Sequence, residues 1–510
     1  MRALLSVWDK AGLVELAQGL ADLDCELVAS GGTAMALAAA GIAHRDVADL
    51  TGFPEMLGGR VKTLHPAIHG GILADRSRAE HLADLAGHGI GMIDLVVCNL
   101  YPFGADPSIE LIDVGGPAMV RAAAKNHASV AVVTRPDQYV GVLEELRTTG
   151  QIGASTRRRL AREAFETTAA YDAQIAQWLG GDEDVPEALG AALPLVWQPT
   201  LQRAQVVRYG ENPHQVGARY RILGQDPWWD HVTQHAGSAL SYLNLLDADA
   251  AWRLAHELAH DVPGHAVAVI VKHANASGVA LGRDLAAAYG AALAADALSA
   301  FGGVVALLGE VDETVADAVA AGPQADVIVA SAFSEAAVER LRTRRKATRL
   351  LSGPAPEPLA RTVRTVGASA FVQGPDELLA APGDWRCVTA VQPTPDQLVD
   401  LMVAWRVCAR TTSNAIVLAH QGVTVGVGAG QQSRVVSAQI AVAKAGERAR
   451  GAAAASDAFF PFADGLEALV AAGVRAVVEP GGSVRDGEVI AAADHAGIAL
   501  LLTGERHFRH

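Results

Sequence analysis

The run Ala266-Val-Ala-Val-Ile-Val271 is six residues of small or β-branched apolar side chains, and it stops abruptly at Lys272-His273, followed by Ala-Asn275-Ala-Ser-Gly278. Such a run predicts a buried strand. Packing gives a buried strand no reason to finish on two titratable side chains. In an α/β sheet, however, the carboxyl end of a strand is where ligands usually sit. An imidazole accepts protons near neutral pH, and an adjacent ammonium can polarise or protonate a reacting group. Read alone, the pair is more simply the first solvated residues after a strand.

At 510 residues the chain is too long for one core and predicts about three domains at roughly 150 residues each. Half of it is hydrophobic and 19% is charged, the balance of a well-folded globular protein. No uninterrupted apolar stretch approaches the ~18 residues of a membrane span, and Arg2, Asp9 and Lys10 come too early for a signal segment, so a cytoplasmic protein is expected. Cys25, Cys98, Cys387 and Cys408 lie far apart, which indicates neither a disulfide framework nor a structural zinc site. A formal net charge of −15 argues against nucleic-acid binding, although anionic small molecules can be held where basic residues converge.

In the first half, a strand over Ala3–Val7 precedes a helical pattern from Asp9 to Leu23, and a second strand, Glu26–Ser30, runs into Gly31-Gly32-Thr33 and an alanine-rich helix. Strand, Ser-Gly-Gly-Thr, helix suits a phosphate, because glycines allow close backbone approach and helix-start N–H groups attract anions; a plain tight turn uses the same residues. Gly52–Gly71 reads as a long irregular loop carrying Arg60, Lys62, His65 and His69. A metal reading of the two histidines fails, since Pro66 and the glycines disfavour a helix and no third ligand is apparent. A strand from Asp94 ends in Asn99 and Tyr101, and Asp113, Gly115 and Gly116 precede a helix starting at Pro117 and reaching Lys125-Asn126. The helix predicted over Ser155–Gly180 carries Arg157, Arg158, Arg159 and Arg162, expected on a solvated face. Gly181–Thr200 reads as a linker.

The second half opens on Arg208-Tyr-Gly-Glu-Asn-Pro-His214-Gln215, a ligand-type loop, followed by a helix signal at Ser241–Asp249 whose acids serve equally as caps. An apolar strand follows Phe301-Gly302-Gly303, and a basic run over Glu339–Arg349 is expected to be a solvated helix face. A helix from Pro395 to Arg410 leads to Ser413-Asn414 and a strand. Thr424–Arg434 gives strand, glycine-rich turn and helix but not a dinucleotide fingerprint. Phe459, Phe460 and Phe462 form an aromatic cluster, Gly481-Gly482-Ser483 another glycine-rich turn, and Arg506-His-Phe-Arg-His510 an unusually charged terminus.

Long strings, GFPEMLGGRVKTLHP, CNLYPF, RAAAKNH, RYGENPHQ and the Lys272-His273 segment, resemble the family of bifunctional purine-biosynthesis enzymes (PurH) that join AICAR formyltransferase to IMP cyclohydrolase. The resemblance covers the whole chain. It implies an α/β protein with a methylglyoxal-synthase-like domain at residues 1–180, a linker at 181–200, and a transformylase region at 201–510 of two cytidine-deaminase-like units without catalytic zinc, divided near 360–395. The lack of HxE and PCxxC patterns agrees with that.

By the same resemblance, Ser6, Lys10, Ser30, Gly31, Gly32 and Thr33 would hold a nucleotide phosphate. Arg60, Lys62, Thr63, Asn99, Tyr101, Asp113, Gly115, Gly116, Lys125 and Asn126 would surround the closing ring, with Lys62 steadying an oxyanion and Tyr101, Asp113 and Lys125 relaying protons. Intramolecular attack on a formyl carbonyl draws much of its rate from orientation and from donors aimed at the developing oxyanion. His273 would take the proton of the AICAR amine, Lys272 would assist proton delivery to the folate, and Asn414 would hold the formyl oxygen or His273. Arg208, Tyr209, His214, Phe301, Gly302, Asp326, Gln432, Phe459, Ser483 and Arg506 would line the nucleotide or folate site. The cosubstrate implied is 10-formyltetrahydrofolate, the other ligands AICAR, formyl-AICAR and IMP, and the assembly a homodimer; a monovalent cation (K+) is admitted. The chain departs from the family at Trp8 (usually Ser), in a short 104–112 segment, at Ala276-Ser277 (Pro-Cys in bacterial members) and at Thr412 (often Lys). The rival readings are a protein with one working activity and a nucleotide-binding regulatory module, the second of which leaves the coexistence of Lys272-His273 with Asn414 and RYGENPHQ unexplained.

Overall fold

The computed structural model describes residues 1–54, 56–179, 193, 196–359 and 361–510, so most of the expected 181–200 linker lies outside the described residues. The chain divides into two compact units: Met1–Leu201 with Ile222–Gly224, and Gln202–Arg221 with Gln225–His510. No described helix is long and apolar enough to cross a membrane. All four cysteine thiols are free.

The first unit is a five-stranded parallel sheet ordered Arg45–Asp46, Glu26–Ala29, Arg2–Leu5, Leu95–Val97, Ala131–Val133. Side chains alternate across it, as a strand's period of two requires. Ala3 and Leu5 face Leu13, Leu16 and Leu143, while Leu4, Val96 and Val132 face Ile68, Ile72 and Val120, so helices cover both faces. The chain builds outward from Arg2–Leu5 in one direction and then returns to its other side. That leaves a topological switch point between Arg2–Leu5 and Leu95–Val97, outside whose carboxyl ends open α/β sheets bind ligands.

Three readings of this half need correction. The first helix is shorter than the 9–23 pattern, Leu13–Ala21, because Gly12 is left-handed (φ 68) and starts it late. Pro66 does not prevent a helix: it is the first residue of Pro66–Leu73, where its missing N–H costs nothing, and His65 Nδ1 caps the helix by accepting from Ala67 N–H at 3.1 Å. His65 and His69 therefore flank one helical turn, yet among the described residues no group of three metal-ligating side chains forms. On the helix Ala154–Leu179, Arg158, Arg159 and Arg162 are exposed, but Arg157 is half-buried and donates to the carbonyls of His127 (2.9 Å) and Ala128 (2.8 Å).

The second unit is a twelve-stranded mixed sheet built from one motif used twice. Helix Tyr242–Asp261, hairpin Ala266–Lys272/Asn275–Gly282, helix Leu285–Ala295 and strands Val304–Val311, Val327–Phe333 and Arg349–Ser352 form the first copy. Helix Pro395–Ala409, hairpin Ile416–His420/Val423–Gly428, helix Arg434–Ala445 and strands Ala453–Ser456, Ala476–Glu479 and Ala499–Leu502 form the second. The copies join antiparallel where Ala280 pairs with Val423. The basic run Glu339–Arg349 is not uniformly solvated: Arg345 donates to Ala320 O and Gly322 O, and Arg349, in a buried strand, donates to Ser238 Oγ at 2.8 Å.

The Lys272-His273 strand end is a hairpin turn. Lys272 pairs with Asn275, and the two residues between them, His273 (φ 54) and Ala274 (φ 56), are both left-handed, as a tight two-residue turn demands. The second copy makes the same turn with Gln421 (φ 54) and Gly422 (φ 73), placing glycine where backbone strain favours it. A buried carboxylate from the preceding helix holds each turn. Asp247 accepts from His273 N–H (3.2 Å) and Ala274 N–H (2.7 Å); Asp400 accepts from Gln421 N–H (3.0 Å) and Gly422 N–H (2.7 Å). Asp247 is thus no cap of its own helix, which Ser241 caps by accepting from Asn244 N–H at 3.3 Å. Burial raises the pKa of both carboxyl groups despite these donors.

Replacing Asp400 by Ala strips two buried N–H groups of their acceptor and is expected to cost about 2 kcal/mol. Hydrogen exchange at the Gln421 and Gly422 amides should then accelerate, whereas unchanged protection would mean that the carboxylate does not hold the turn. At the end of Ala476–Glu479, burial pushes the Glu479 carboxyl up to about 7 while Phe460 N–H donates to it at 2.7 Å. A carboxyl raised in the folded state stabilises it most below its unfolded value of ~4.5, and that contribution is lost as pH rises through about 7. Urea titrations between pH 4.5 and 8 should show this loss in the wild type and a flatter profile in Glu479→Gln.

Candidate active sites

At the switch point of the first unit lies a cavity of ≈ 1030 Å³ lined by Ser6, Lys10, Ser30, Gly31, Gly32, Thr33, Arg60, Lys62, Thr63, Asn99, Tyr101, Asp113, Gly115 and Gly116. One end is an anion cradle. Ser6 and Ser30 leave adjacent parallel strands with their hydroxyls 3.3 Å apart, and Ser30 is the N-cap of helix Gly31–Ala39, whose first N–H groups open onto the cavity. Thr33 Oγ1 ties the two loops by accepting from Val7 N–H (2.9 Å) and donating to Val7 O (3.1 Å). Lys10 Nζ donates to Val7 O and to Trp8 O (3.2 Å), and burial lowers its pKa.

The opposite end carries the acid–base groups. Asp113 sits in a turn whose N–H donates to Tyr171 Oη at 2.8 Å, and its carboxylate accepts from Gly116 N–H at 2.9 Å. A Cβ on Gly116 would collide with the Asp113 carboxylate and one on Gly115 with Thr63 Oγ1, so a side chain at either position would displace these site groups. Burial raises the pKa of Asp113, and burial with the nearby Asp113 charge raises that of Tyr101. Asn99 is spent on its neighbours: its Oδ1 accepts from Trp8 and Asp9 N–H and its Nδ2 donates to Asp9 O. It therefore shapes the wall more than it offers groups to a ligand. Arg60 pairs with Glu110 in the short segment before Asp113, an exposed contact of small worth.

Two predicted residues lie elsewhere. Lys125, the last residue of helix Gly115–Lys125, lines a second, more open cavity of ≈ 900 Å³, which shares Asp113 and Val114 with the first. Asn126 lines neither cavity and donates to Ile72 O (2.7 Å) and Ala74 O (2.9 Å). What the motifs did not disclose is the wall that Trp8 makes edge-on to Tyr101, ring centroids 5.1 Å apart.

In the second unit several of the predicted residues converge on the Lys272–Asn275 turn. Lys272 Nζ donates to Phe301 O at 2.9 Å, docking the Phe301-Gly302 loop, and Gly303 leaves no room for a side chain, since a Cβ there would lie 2.9 Å from Val271 O. Asp326 N–H donates to Gly303 O at 2.9 Å and so supports that loop. Asn275 Oδ1 accepts from Thr412 N–H at 2.8 Å, which brings the second copy's Thr412–Asn414 segment to the turn. The Asn414 amide is oriented from both ends: Nδ2 donates to Gln431 O (2.9 Å) and Oδ1 accepts from Arg434 (2.6 Å). Arg434 is buried and pairs with the fully buried Asp457, which also receives Ser413 Oγ.

Sequence reasoning assigned Arg434 and Asp457 no role. The available signal was a cation as the first residue of a helix, where it opposes the dipole and so needs another reason to be there. Arg208, stacked 5.4 Å from the Tyr209 ring, and exposed His214 stand on a loop tied to the start of helix Tyr242–Asp261 by Tyr242 N–H donating to Tyr209 O at 3.1 Å. Phe459 is partly exposed beside buried Phe460, Gln432 is exposed, Ser483 lies in the turn that Asp486 closes, and Arg506 stacks 4.4 Å from the Phe508 ring.

The MGS-like domain family matches residues 12–128, and the AICARFT/IMPCHase bienzyme family matches residues 123–444. The bifunctional purine biosynthesis protein PurH of Jannaschia sp. (strain CCS1) is 47% identical over 533 aligned positions, covering 100% of this chain and 98% of that one. The crystal structure of ForH aligns to 35% of this chain and 99% of its own at 42% identity, with a TM-score of 0.33. The chain belongs to the AICARFT/IMPCHase bienzyme family, the bifunctional purine biosynthesis proteins PurH.

Proposed function

We propose that the second unit transfers a formyl group from 10-formyltetrahydrofolate to the 5-amino group of AICAR, and that the first closes formyl-AICAR to IMP with loss of water. The observation that carries this reading is the Asp247-held turn, which presents His273 beside the Asn414 segment in a chain that also has a phosphate-type cradle at a sheet switch point.

In formyl transfer the amine nitrogen attacks the formyl carbon, His273 accepts the amine proton, and the bond to the folate N10 breaks as Lys272 helps return a proton to that nitrogen. Asn414, fixed by Arg434 and Gln431, holds the formyl oxygen. The amine is a poor nucleophile, so removing its proton during attack is where a base contributes. In ring closure the carboxamide nitrogen attacks the formyl carbon of the same molecule. The cradle of Ser6, Lys10 and Ser30–Thr33 anchors the phosphate, Lys62 faces the oxyanion, and Tyr101 and Asp113 move the protons that release water. Lys125 joins that relay through the cavity that shares Asp113.

We read the two copies in the second unit as cytidine-deaminase-like modules without catalytic zinc; their repeated helix–hairpin–helix order and the lack of HxE and PCxxC sequences support this. By family resemblance the active form is a cytoplasmic homodimer whose formyl-transfer sites draw on both chains, with a monovalent cation such as K+ near them.

His273→Ala should reduce formyl transfer by about 10²–10⁴-fold and leave closure of supplied formyl-AICAR intact. Lys62→Ala should slow closure by roughly 10²–10³-fold and spare transfer. Absorbance-followed turnover of each substrate separates the two; a wild type making IMP from neither substrate contradicts the assignment.

A further inference from the structure

The C-terminal tail carries a residue that the reaction as described does not use. From Glu505 onward the chain is pinned at alternate positions. Glu505 accepts from Leu379 and Ala380 N–H (3.0 and 3.1 Å), and His507 N–H donates to Asp457 O at 3.0 Å while its ring meets Asp376 at 2.8 Å. Phe508 and His510 point outward, whereas Arg509 turns in and is half-buried.

The Arg509 guanidinium reaches two carbonyls belonging to different copies of the motif. One Nη1 proton goes to Ala274 O at 2.8 Å, the residue directly after His273 in the left-handed turn. The other goes to Arg410 O, where helix Pro395–Ala409 ends and the Thr411–Asn414 segment begins. The backbone of Arg509 completes the clamp, since Ser413 N–H donates to its carbonyl at 2.9 Å. One terminal residue therefore touches both sides of the site within a residue or two of His273 and Asn414.

Holding a guanidinium there is unfavourable in itself. Burial and the like charge of Arg410 lower its pKa, and the carboxylates of Asp247, Asp249 and Glu257 oppose them. Asp247 is the group that holds the His273 turn from the other side. Charge-assisted donors bind carbonyls more firmly than neutral ones, and a planar fork fixes direction as well as distance.

We propose that Arg509 is a positioning residue for formyl transfer, locking the His273 turn to the Asn414 segment so that base and formyl-oxygen donor keep one fixed separation. The proposal rests on the formyl-transfer reading of this unit. A misplacement of about 1 Å costs on the order of 10²-fold in rate, so Arg509→Ala is expected to lower kcat for formyl transfer by about 10- to 100-fold. KM for AICAR and for the folate should stay near wild type, and closure of supplied formyl-AICAR should be unaffected.

The test measures full-length wild type, Arg509→Ala and Arg509→Lys, the Ala variant also with millimolar guanidinium ion and with an equal concentration of sodium as control. Recovery of kcat by guanidinium but not sodium, with partial activity in Arg509→Lys, supports the proposal. It is overturned if Arg509→Ala transfers formyl groups within twofold of wild type. It is equally overturned if a loss in Arg509→Ala responds neither to guanidinium nor to the Lys variant, since the residue then serves stability alone. A wild type without formyl transfer overturns the underlying reading instead, which keeps the two failures apart.

Discussion

Two backbone N–H groups pointing at one buried carboxylate hold the turn on which the proposed formyl transfer depends. A His-Ala pair has little inclination to form a tight turn with both residues left-handed, a conformation costing of order 1–3 kcal/mol per residue. The Asp247 carboxylate offsets that cost by accepting from His273 and Ala274 together. The second copy makes the same contact with Asp400 but uses Gln421-Gly422, a sequence nearer to what such a turn prefers. The glycine is missing from the His273-Ala274 turn, and strain kept at one copy of a repeated turn fits a site better than a scaffold.

The two units reach substrate-ready geometry by different means. In the first, a parallel sheet switches direction and the ends of two neighbouring strands, with a helix start, form a cradle of serine hydroxyls, the Lys10 ammonium and backbone N–H groups; the glycines at 115 and 116 then let Thr63 and Asp113 approach. In the second, side chains do the orienting: Arg434, buried against Asp457, aims the Asn414 amide, and Asn275 ties that segment to the His273 turn. Buried charges of this sort are expensive unless fully paired, and what they supply here is a fixed direction.

Features with a local cause were legible in the residues. The strand before Ser30-Gly31-Gly32-Thr33, the helix after it and the buried run ending at Lys272 follow from periodicity and cap chemistry, and the phosphate-type cradle follows from them. Features with a distant cause were not. Nothing near Asp247 signals that its carboxylate serves a turn 26 residues on, and Arg349 reads as solvated until Ser238 is seen against it. Pro66 reads as a helix breaker until His65 is seen to cap the helix and make the same proline its first residue. Lys125 and Asn126 travelled with a motif, and only the direction of each side chain from the helix separates a cavity lysine from an amide holding Ile72 and Ala74.

The most direct test of this account removes the Asp247 carboxylate and reads both activities. With Asp247→Ala the turn loses its acceptor and His273 its fixed direction, so formyl transfer should fall by about 100-fold and amide exchange at His273 and Ala274 should quicken. Closure of supplied formyl-AICAR should proceed at the wild-type rate. Formyl transfer within threefold of wild type, with those amides still protected, would contradict the claim that this contact builds the site.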